Sequence, residues 1–160
     1  MVTSPKTPKR RKAPAPALAP TAAAAAEEIW WDRSAFATGV DMSIPCPEVL
    51  DVTGRHRVLV FGPMKVLPAG RWRLAARFAL SPDAAGHDYI LQFIHGGALA
   101  ERRFRPTSSG EFEVALVNEF DHDAAAAIRL WNARALFHGE LRFHGALVTR
   151  ESATPPTKQE

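Results

Sequence analysis

Side chains that can bind anions or stack on rings recur at alternate positions in several segments of this sequence. They take the outward positions of predicted strands, whose other parity is largely apolar. Guanidinium groups hold carboxylate, sulfate or phosphate in a bidentate fork, and an indole stacks on the C–H face of a pyranose. The predicted ligand-binding residues are Arg71, Arg73, Arg77, Gln92, Arg129, Trp131, Arg142 and His144.

These side chains predict one sheet face that binds an acidic saccharide through arginines and an indole. The alternative is a solvated outer face, with Trp131 packed under a loop. Arginine is also the preferred cation: residues 27–150 contain 13 Arg and only Lys65. Its planar fork suits carboxylates better than the ammonium of lysine does, although a coding bias towards arginine would give the same composition.

No residue spacing in the chain predicts a catalytic centre. His95-Gly96-Gly97 resembles an oxyanion loop, but the sequence has no G-x-S-x-G nucleophile motif and no phosphate-binding glycine-rich loop. We therefore expect a non-enzyme without catalytic residues and without a cofactor.

The sequence likewise predicts no metal site. The six histidines show no HxH, HExxH or HxxxH spacing, and one cysteine cannot build a Cys-based site. Asp121-His122-Asp123 offers calcium-type oxygen ligands, but capping of a helix or turn explains two carboxylates in one loop more simply.

Length and charge predict one folded domain between two tails. Residues 1–26 hold five basic residues and no acidic one, so a net charge of +3 leaves the remaining chain at 3 − 5 = −2. We expect residues 1–26 to be a disordered basic Pro/Ala-rich tail, 27–150 a β-sandwich and 151–160 a second disordered tail. A nearly neutral body makes nucleic acid an unlikely partner, except through the basic tail, which could also recruit another acidic partner.

Compartment signals are few. Cys46 is the only cysteine, and no stretch of 18 apolar residues occurs, so we expect no membrane span. Prolines interrupt the apolar part of residues 13–26, which therefore lacks the hydrophobic region of a secretion signal. The expected location is the cytoplasm.

Alternation of apolar and polar residues predicts seven or eight strands at intervals of about ten residues, which is typical of an all-β, antiparallel β-sandwich. Two of them occupy Arg57–Leu80, joined through Gly62-Pro63 and Pro68-Ala69-Gly70, and a further short edge strand could form at Val49–Val52. The other predicted strands are Ile29–Trp31, Tyr89–His95, Leu99–Arg105, Glu111–Phe120, Ile128–Asn132 and Leu141–Arg150. Adjacent Trp30 and Trp31 should point to opposite sides, with at most one in the core.

The segment 121–139 gives conflicting signals. An aspartate, an alanine run and a terminal glycine are typical of a helix. Because the flanking segments are strands and the sheet needs a further strand, we predict a loop, a strand at Ile128–Asn132 and another loop.

Part of the sequence resembles a known type of module. The residues that carry the resemblance are Phe61-Gly62-Pro63, Leu67, Gly70, Trp72, Leu74, Ile128–Trp131 and Gly139–Arg150. They resemble jelly-roll β-sandwich modules, similar to carbohydrate-binding modules, that accompany glycosyltransferases or methyltransferases of bacterial surface-polysaccharide pathways. The resemblance covers residues 50–150 and departs at Met64, where the pattern has an exposed aromatic residue.

The resemblance and the arginine–tryptophan face together imply a non-catalytic module that binds carbohydrate or a glycan-linked partner. The alternative is a structural or assembly module. In that case an apolar face around Ile90, Ile94 and Val117 would bury against another copy of the chain or a protein partner, giving an oligomer.

Overall fold

The computed structural model describes residues 27–152, and within them the chain forms two stacked antiparallel β-sheets. The strands are β1 (Glu28–Asp32), β2 (Ala37–Thr38), β3 (Ile44–Pro45), β4 (Leu50–Asp51), β5 (Arg57–Leu67), β6 (Gly70–Leu80), β7 (Tyr89–His95), β8 (Ala98–Phe104), β9 (Gly110–Phe120), β10 (Ala124–Asn132) and β11 (Glu140–Glu151). Short 3-10 turns lie at Arg33–Ala35 and Pro82–Ala84. Eight strands have five or more residues, so the predicted all-β sandwich is confirmed.

The order of strands in the five-stranded sheet is β1-β11-β6-β9, with β4 also pairing with β11. The order in the six-stranded sheet is β3-β2-β5-β10-β7-β8. Most neighbours in these sheets are distant in the sequence, as expected for a jelly-roll-like sandwich. The two predicted tails, 1–26 and most of 151–160, lie outside the described residues.

The core lies between the sheets and is rich in aromatic side chains. Trp31 on β1 meets Phe93 on β7 edge-on, with 6.5 Å between ring centroids, and thereby joins one sheet to the other. Phe36 and Phe143 form a closer edge-on pair at 4.8 Å. Such pairs add specific geometry to the burial of apolar area. Trp31 is fully buried while Trp30 is 43% exposed, which confirms their predicted opposite orientations.

Two details of the predicted elements were wrong. Gly62-Pro63 is not a turn, because β5 continues through it to Leu67 and a register shift against β10 accommodates it. The strand in the ambiguous segment starts earlier than predicted, at Ala124, so the whole alanine run is extended. Pairing on both sides, with β5 and β7, outweighs the helix propensity of alanine.

Within residues 27–152 there is no helix with the length and apolar character needed to cross a membrane.

Candidate functional site

The structure divides the eight predicted binding residues between opposite outer faces of the sandwich. Arg71, Arg73 and Arg77 lie on β6, and Arg142 and His144 lie on β11, all in the five-stranded sheet. Gln92 lies on β7, and Arg129 and Trp131 lie on β10, in the six-stranded sheet. The expectation that the eight residues share one face was therefore wrong. Strand parity is a local property and does not say which sheet a strand joins.

We name the first set the arginine face, defined by Arg71, Arg73, Arg77, Arg142 and His144. Several of these cations are already engaged by carboxylates on neighbouring strands. Arg71 pairs with Glu151 at 2.6 Å, and Arg77 pairs with Glu113 at 2.9 Å. His144 lies 2.8 Å from Glu111. Arg73 reaches Glu113 at 3.9 Å, and Arg77 also lies over the ring of Trp30 at 5.6 Å.

These pairs are partly exposed, so each adds little to stability. Their consequence is for binding, since an incoming anion would compete with a carboxylate already in place. The arginine face is therefore a poor receptor for an acidic ligand.

We name the second set the indole face, defined by Phe61, Ile90, Gln92, Ile94, Arg129 and Trp131 on the outer side of the six-stranded sheet. Residues paired in register on adjacent strands point to the same side. Arg129 lies between Phe61 on β5 and Gln92 on β7, and Gln92 lies beside Glu101 on β8. This row crosses the middle of the sheet.

A second row of the indole face runs beside the first. Trp131 lies between Val58 and Ile90, and Ile90 in turn pairs with Arg103. On the other side of the Arg129 row, Ala127 lies between Pro63 and Ile94. The indole face thus surrounds one central guanidinium with apolar side chains.

The indole of Trp131 is held on two sides. Its Nε1 donates to Gln92 Oε1 at 2.9 Å, and Gln92 Nε2 donates to Glu101 Oε2 at 2.6 Å. His56 stacks on the ring with 5.0 Å between centroids and 17° between planes. His56 is itself oriented by Nδ1, which lies 2.7 Å from the carbonyl oxygen of Asn132. The half-buried indole therefore has a defined orientation before any ligand arrives, and only the surface that His56 leaves uncovered is available for stacking.

Arg129 is the distinctive cation of this face. Its guanidinium carbon lies 5.8 Å from the centroid of the Trp131 ring. Its Nε is buried and has no hydrogen-bond partner, and within residues 27–152 the guanidinium has no ion pair. Arg103, the arginine of the second row, pairs with Asp88 at 3.2 Å. A buried donor without a partner is rare in folded proteins and calls for an acceptor.

Sequence reasoning identified Gln92, Arg129 and Trp131 but missed His56, Phe61 and Ile90 as parts of the same surface. His56 precedes β5 and reaches Trp131 only because β5 pairs with β10. No local pattern signals that contact. The predicted apolar assembly face also divides, because Ile90 and Ile94 lie on the indole face whereas Val117 lies on β9 of the other sheet.

No family model matches this sequence, and no curated protein matches it. Solved structures similar to the chain include TmCBM61 in complex with beta-1,4-galactotriose, at 11% identity and a TM-score of 0.46, covering 80% of this chain and 90% of that one. A family 16 carbohydrate-binding module matches at 14% identity with a TM-score of 0.39, covering 61% of this chain and 72% of that one.

A third solved structure is the CBM36-1 domain of a xylanase from the hindgut metagenome of Trinervitermes trinervoides. It is 10% identical, with a TM-score of 0.41, and the match covers 80% of this chain and all of that domain. The expected jelly-roll-like β-sandwich is confirmed by the two sheets described above, and the neighbours named here are carbohydrate-binding modules. At these identities and TM-scores, what those modules bind is a property of those modules alone.

Proposed function

We propose that this protein is a non-catalytic module that binds an acidic saccharide on the indole face. The observation that carries the proposal is the Arg129 side chain, which is half-buried at the centre of the sheet, flanked by apolar residues and without an ion pair within residues 27–152. A carboxylate of a sugar acid would pair with the terminal N–H groups of its guanidinium through charge-assisted hydrogen bonds.

The neighbours of Arg129 supply the rest of a sugar site. Trp131 presents half-buried aromatic surface to the C–H face of a pyranose, and Phe61 and Ile90 extend that surface. Gln92 and Glu101 hold the indole in place, so little conformational entropy remains to be lost when a ligand binds.

The contrast with the arginine face supports this choice of surface. Arg71 and Arg77 are engaged by Glu151 and Glu113, whereas Arg129 has no ion pair within the described chain. A sugar acid can therefore bind Arg129 without displacing a carboxylate of the protein.

The test compares two ligands that differ only in charge, an oligogalacturonate and its methyl ester, by isothermal titration calorimetry. We expect the full chain to bind the acid at least tenfold more tightly than the ester. Arg129→Met should remove that preference, because a charge-assisted hydrogen bond contributes about 1.5–3 kcal/mol, which is about tenfold or more in affinity. Trp131→Ala should weaken the binding of both ligands.

Arg77→Met on the arginine face is the matched control and should change either affinity less than twofold. If neither ligand binds, or if Arg77→Met has the larger effect, the indole face is not an acidic-sugar site.

An assembly function is the second candidate, and one observation favours it. Leu99 on β8 is 53% exposed and pairs with Ile94, which continues the apolar part of the indole face to the edge of the sheet. A second copy of the chain could cover this surface. Sedimentation equilibrium over a wide concentration range separates the two functions, because Leu99→Glu should dissociate such a dimer and leave saccharide binding by a monomer unchanged.

A further inference from the structure

A cleft of about 630 Å³ lies at one end of the sandwich, between the β7–β8 turn and the β9–β10 connection. It is separate from the indole face, because His95 points into the core whereas Gln92 on the same strand points outward. The residues that line it are His95, Gly97, Ala98, Glu119, Phe120, Asp121 and His122. The fold thus brings together a histidine at the end of β7 and a histidine in the β9–β10 connection.

The two imidazoles are placed to share a small ligand. Their ring centroids are 5.6 Å apart, and their planes are tilted by 59°, so the rings are neighbours that do not stack on each other. Nitrogen–metal bonds of about 2.0–2.1 Å place the centroids of two imidazoles on one tetrahedral ion about 5 Å apart. The observed separation needs only a small adjustment to reach that value.

Each ring already has an acceptor for one of its nitrogens. His95 Nε2 lies 3.2 Å from the carbonyl oxygen of Leu67, and His122 Nδ1 is hydrogen-bonded to the carboxylate of Asp121. A carbonyl can only accept, so His95 Nε2 carries the proton and Nδ1 keeps a lone pair. A backbone carbonyl and a carboxylate are also the groups that orient metal-binding histidines in proteins.

The other nitrogen of each ring, His95 Nδ1 or His122 Nε2, has no hydrogen-bond partner within residues 27–152. His95 is fully buried, and its Nδ1 has no hydrogen-bond partner. His122 Nε2 lies over Gly96, where a Cβ would come within 3.2 Å of it. Because His95 lines the cleft but is fully buried, an ion can reach its Nδ1 only if the β7–β8 turn moves.

We propose that His95 and His122 bind one divalent transition metal ion, such as Zn²⁺, in this cleft. Imidazole nitrogens select Zn²⁺, Cu²⁺ or Ni²⁺ over Mg²⁺ and Ca²⁺, which prefer oxygen ligands. Within residues 27–152 no group of three or more His, Cys, Asp or Glu side chains is placed to hold a metal ion. The protein therefore supplies two ligands, and water or an incoming ligand completes the coordination.

The test is isothermal titration calorimetry of Zn²⁺ into the full, tag-free chain. We expect one ion to bind per chain, and Mg²⁺ to give no binding heat. His122→Ala should weaken Zn²⁺ binding at least tenfold. This side chain is 62% exposed, so the variant should fold. His95→Gln keeps a side-chain donor towards Leu67 and should weaken binding to a similar extent.

His138→Ala is the matched control, because His138 is exposed and lines a different cleft. The affinity of the His138→Ala variant for Zn²⁺ should stay within twofold of the affinity of the parent chain. No Zn²⁺ binding by the parent chain, or binding that survives His122→Ala in a folded protein, would overturn the proposal. Neither result bears on saccharide binding by the indole face.

Discussion

The indole Nε1 of Trp131 on β10 donates a 2.9 Å hydrogen bond to the side-chain oxygen of Gln92 on the adjacent strand β7. Gln92 then donates to Glu101 on β8, so three neighbouring strands are linked on one outer face. The indole is thereby part of the sheet's hydrogen bonding and is not a loosely placed surface ring.

Removal of the amide in Gln92→Leu should destabilise the protein by about 1 kcal/mol, because a half-buried indole N–H loses its acceptor. Urea denaturation followed by fluorescence measures this difference. Glu101→Gln keeps an acceptor for the Gln92 amide and should change the free energy of unfolding by less than about 0.5 kcal/mol. Equal stability of Gln92→Leu and the parent would show that the bond contributes nothing.

Two phenylalanines near the same end of the chain should respond very differently to truncation. Phe143 is 1% exposed and packs edge-on against Phe36, whereas Phe137 is 88% exposed. Phe143→Ala should cost about 3–5 kcal/mol of unfolding free energy through lost burial and the cavity that remains. Phe137→Ala should change it by less than about 0.5 kcal/mol, and similar effects at both sites in thermal denaturation would contradict the described core.

Gly145 on β11 should not tolerate a side chain. Its φ is +139°, and a Cβ would lie 2.4 Å from the carbonyl oxygen of Trp31 and 2.7 Å from the Trp30 ring. Gly145→Ala should therefore lower stability by at least about 2 kcal/mol, from backbone strain and the clash with β1. Gly97→Ala, which meets no atom within 4 Å, is the control and should be nearly neutral. A fully stable Gly145→Ala protein would exclude the close approach of β1 to β11.

Asp88 should make stability depend on pH in the acid range. Hydrogen bonds and charge from Arg105, at 2.7 Å, and Arg103, at 3.2 Å, lower the pKa of Asp88 to about 2. The folded-state pKa is below the unfolded value, so the stabilisation is fully present above about pH 4 and is lost as the pH falls through about 2.

The thermal midpoint of Asp88→Asn should accordingly lie below that of the parent at pH 7, and the two midpoints should converge as the pH approaches 2. Asp83→Asn, at an exposed position of the nearby 3-10 turn, is the control for the loss of a surface carboxylate and should leave the thermal midpoint at pH 7 close to that of the parent. A difference in thermal midpoint between Asp88→Asn and the parent that stays constant down to pH 2 would rule out this linkage.

The alternation of apolar and polar residues predicted the strands well, because it depends on which side of each strand is buried. In β6, for example, Trp72 and Phe78 are fully buried and Arg71 and Arg77 are exposed, as their parity indicated. The same parity could not assign strands to sheets, because β6 and β10 are paired with strands distant in the sequence. The candidate site was therefore predicted as one surface where the fold has two.

The histidine pair shows the same limit for a cluster of side chains. His95 ends β7 and His122 follows β9, and they meet only because these two strands end at the same end of the sandwich. Motif spacing detects ligands that share a helix or a loop, so it passed over this pair. Asp123 in the same segment contacts a distant part of the chain, since its carboxylate accepts a hydrogen bond from the amide of Ala69, between β5 and β6, at 2.9 Å.

The antiparallel pairing of β1 with β11 places the beginning and the end of the sandwich side by side, where the amide of Arg150 donates to the carbonyl of Glu27 at 2.9 Å. A short peptide could therefore join residues 27 and 152, and the chain could be opened instead in the exposed connection at Thr107-Ser108-Ser109. Such a circular permutant would keep every strand pair of both sheets. The architecture therefore depends on the set of contacts and not on the order in which the strands are synthesised.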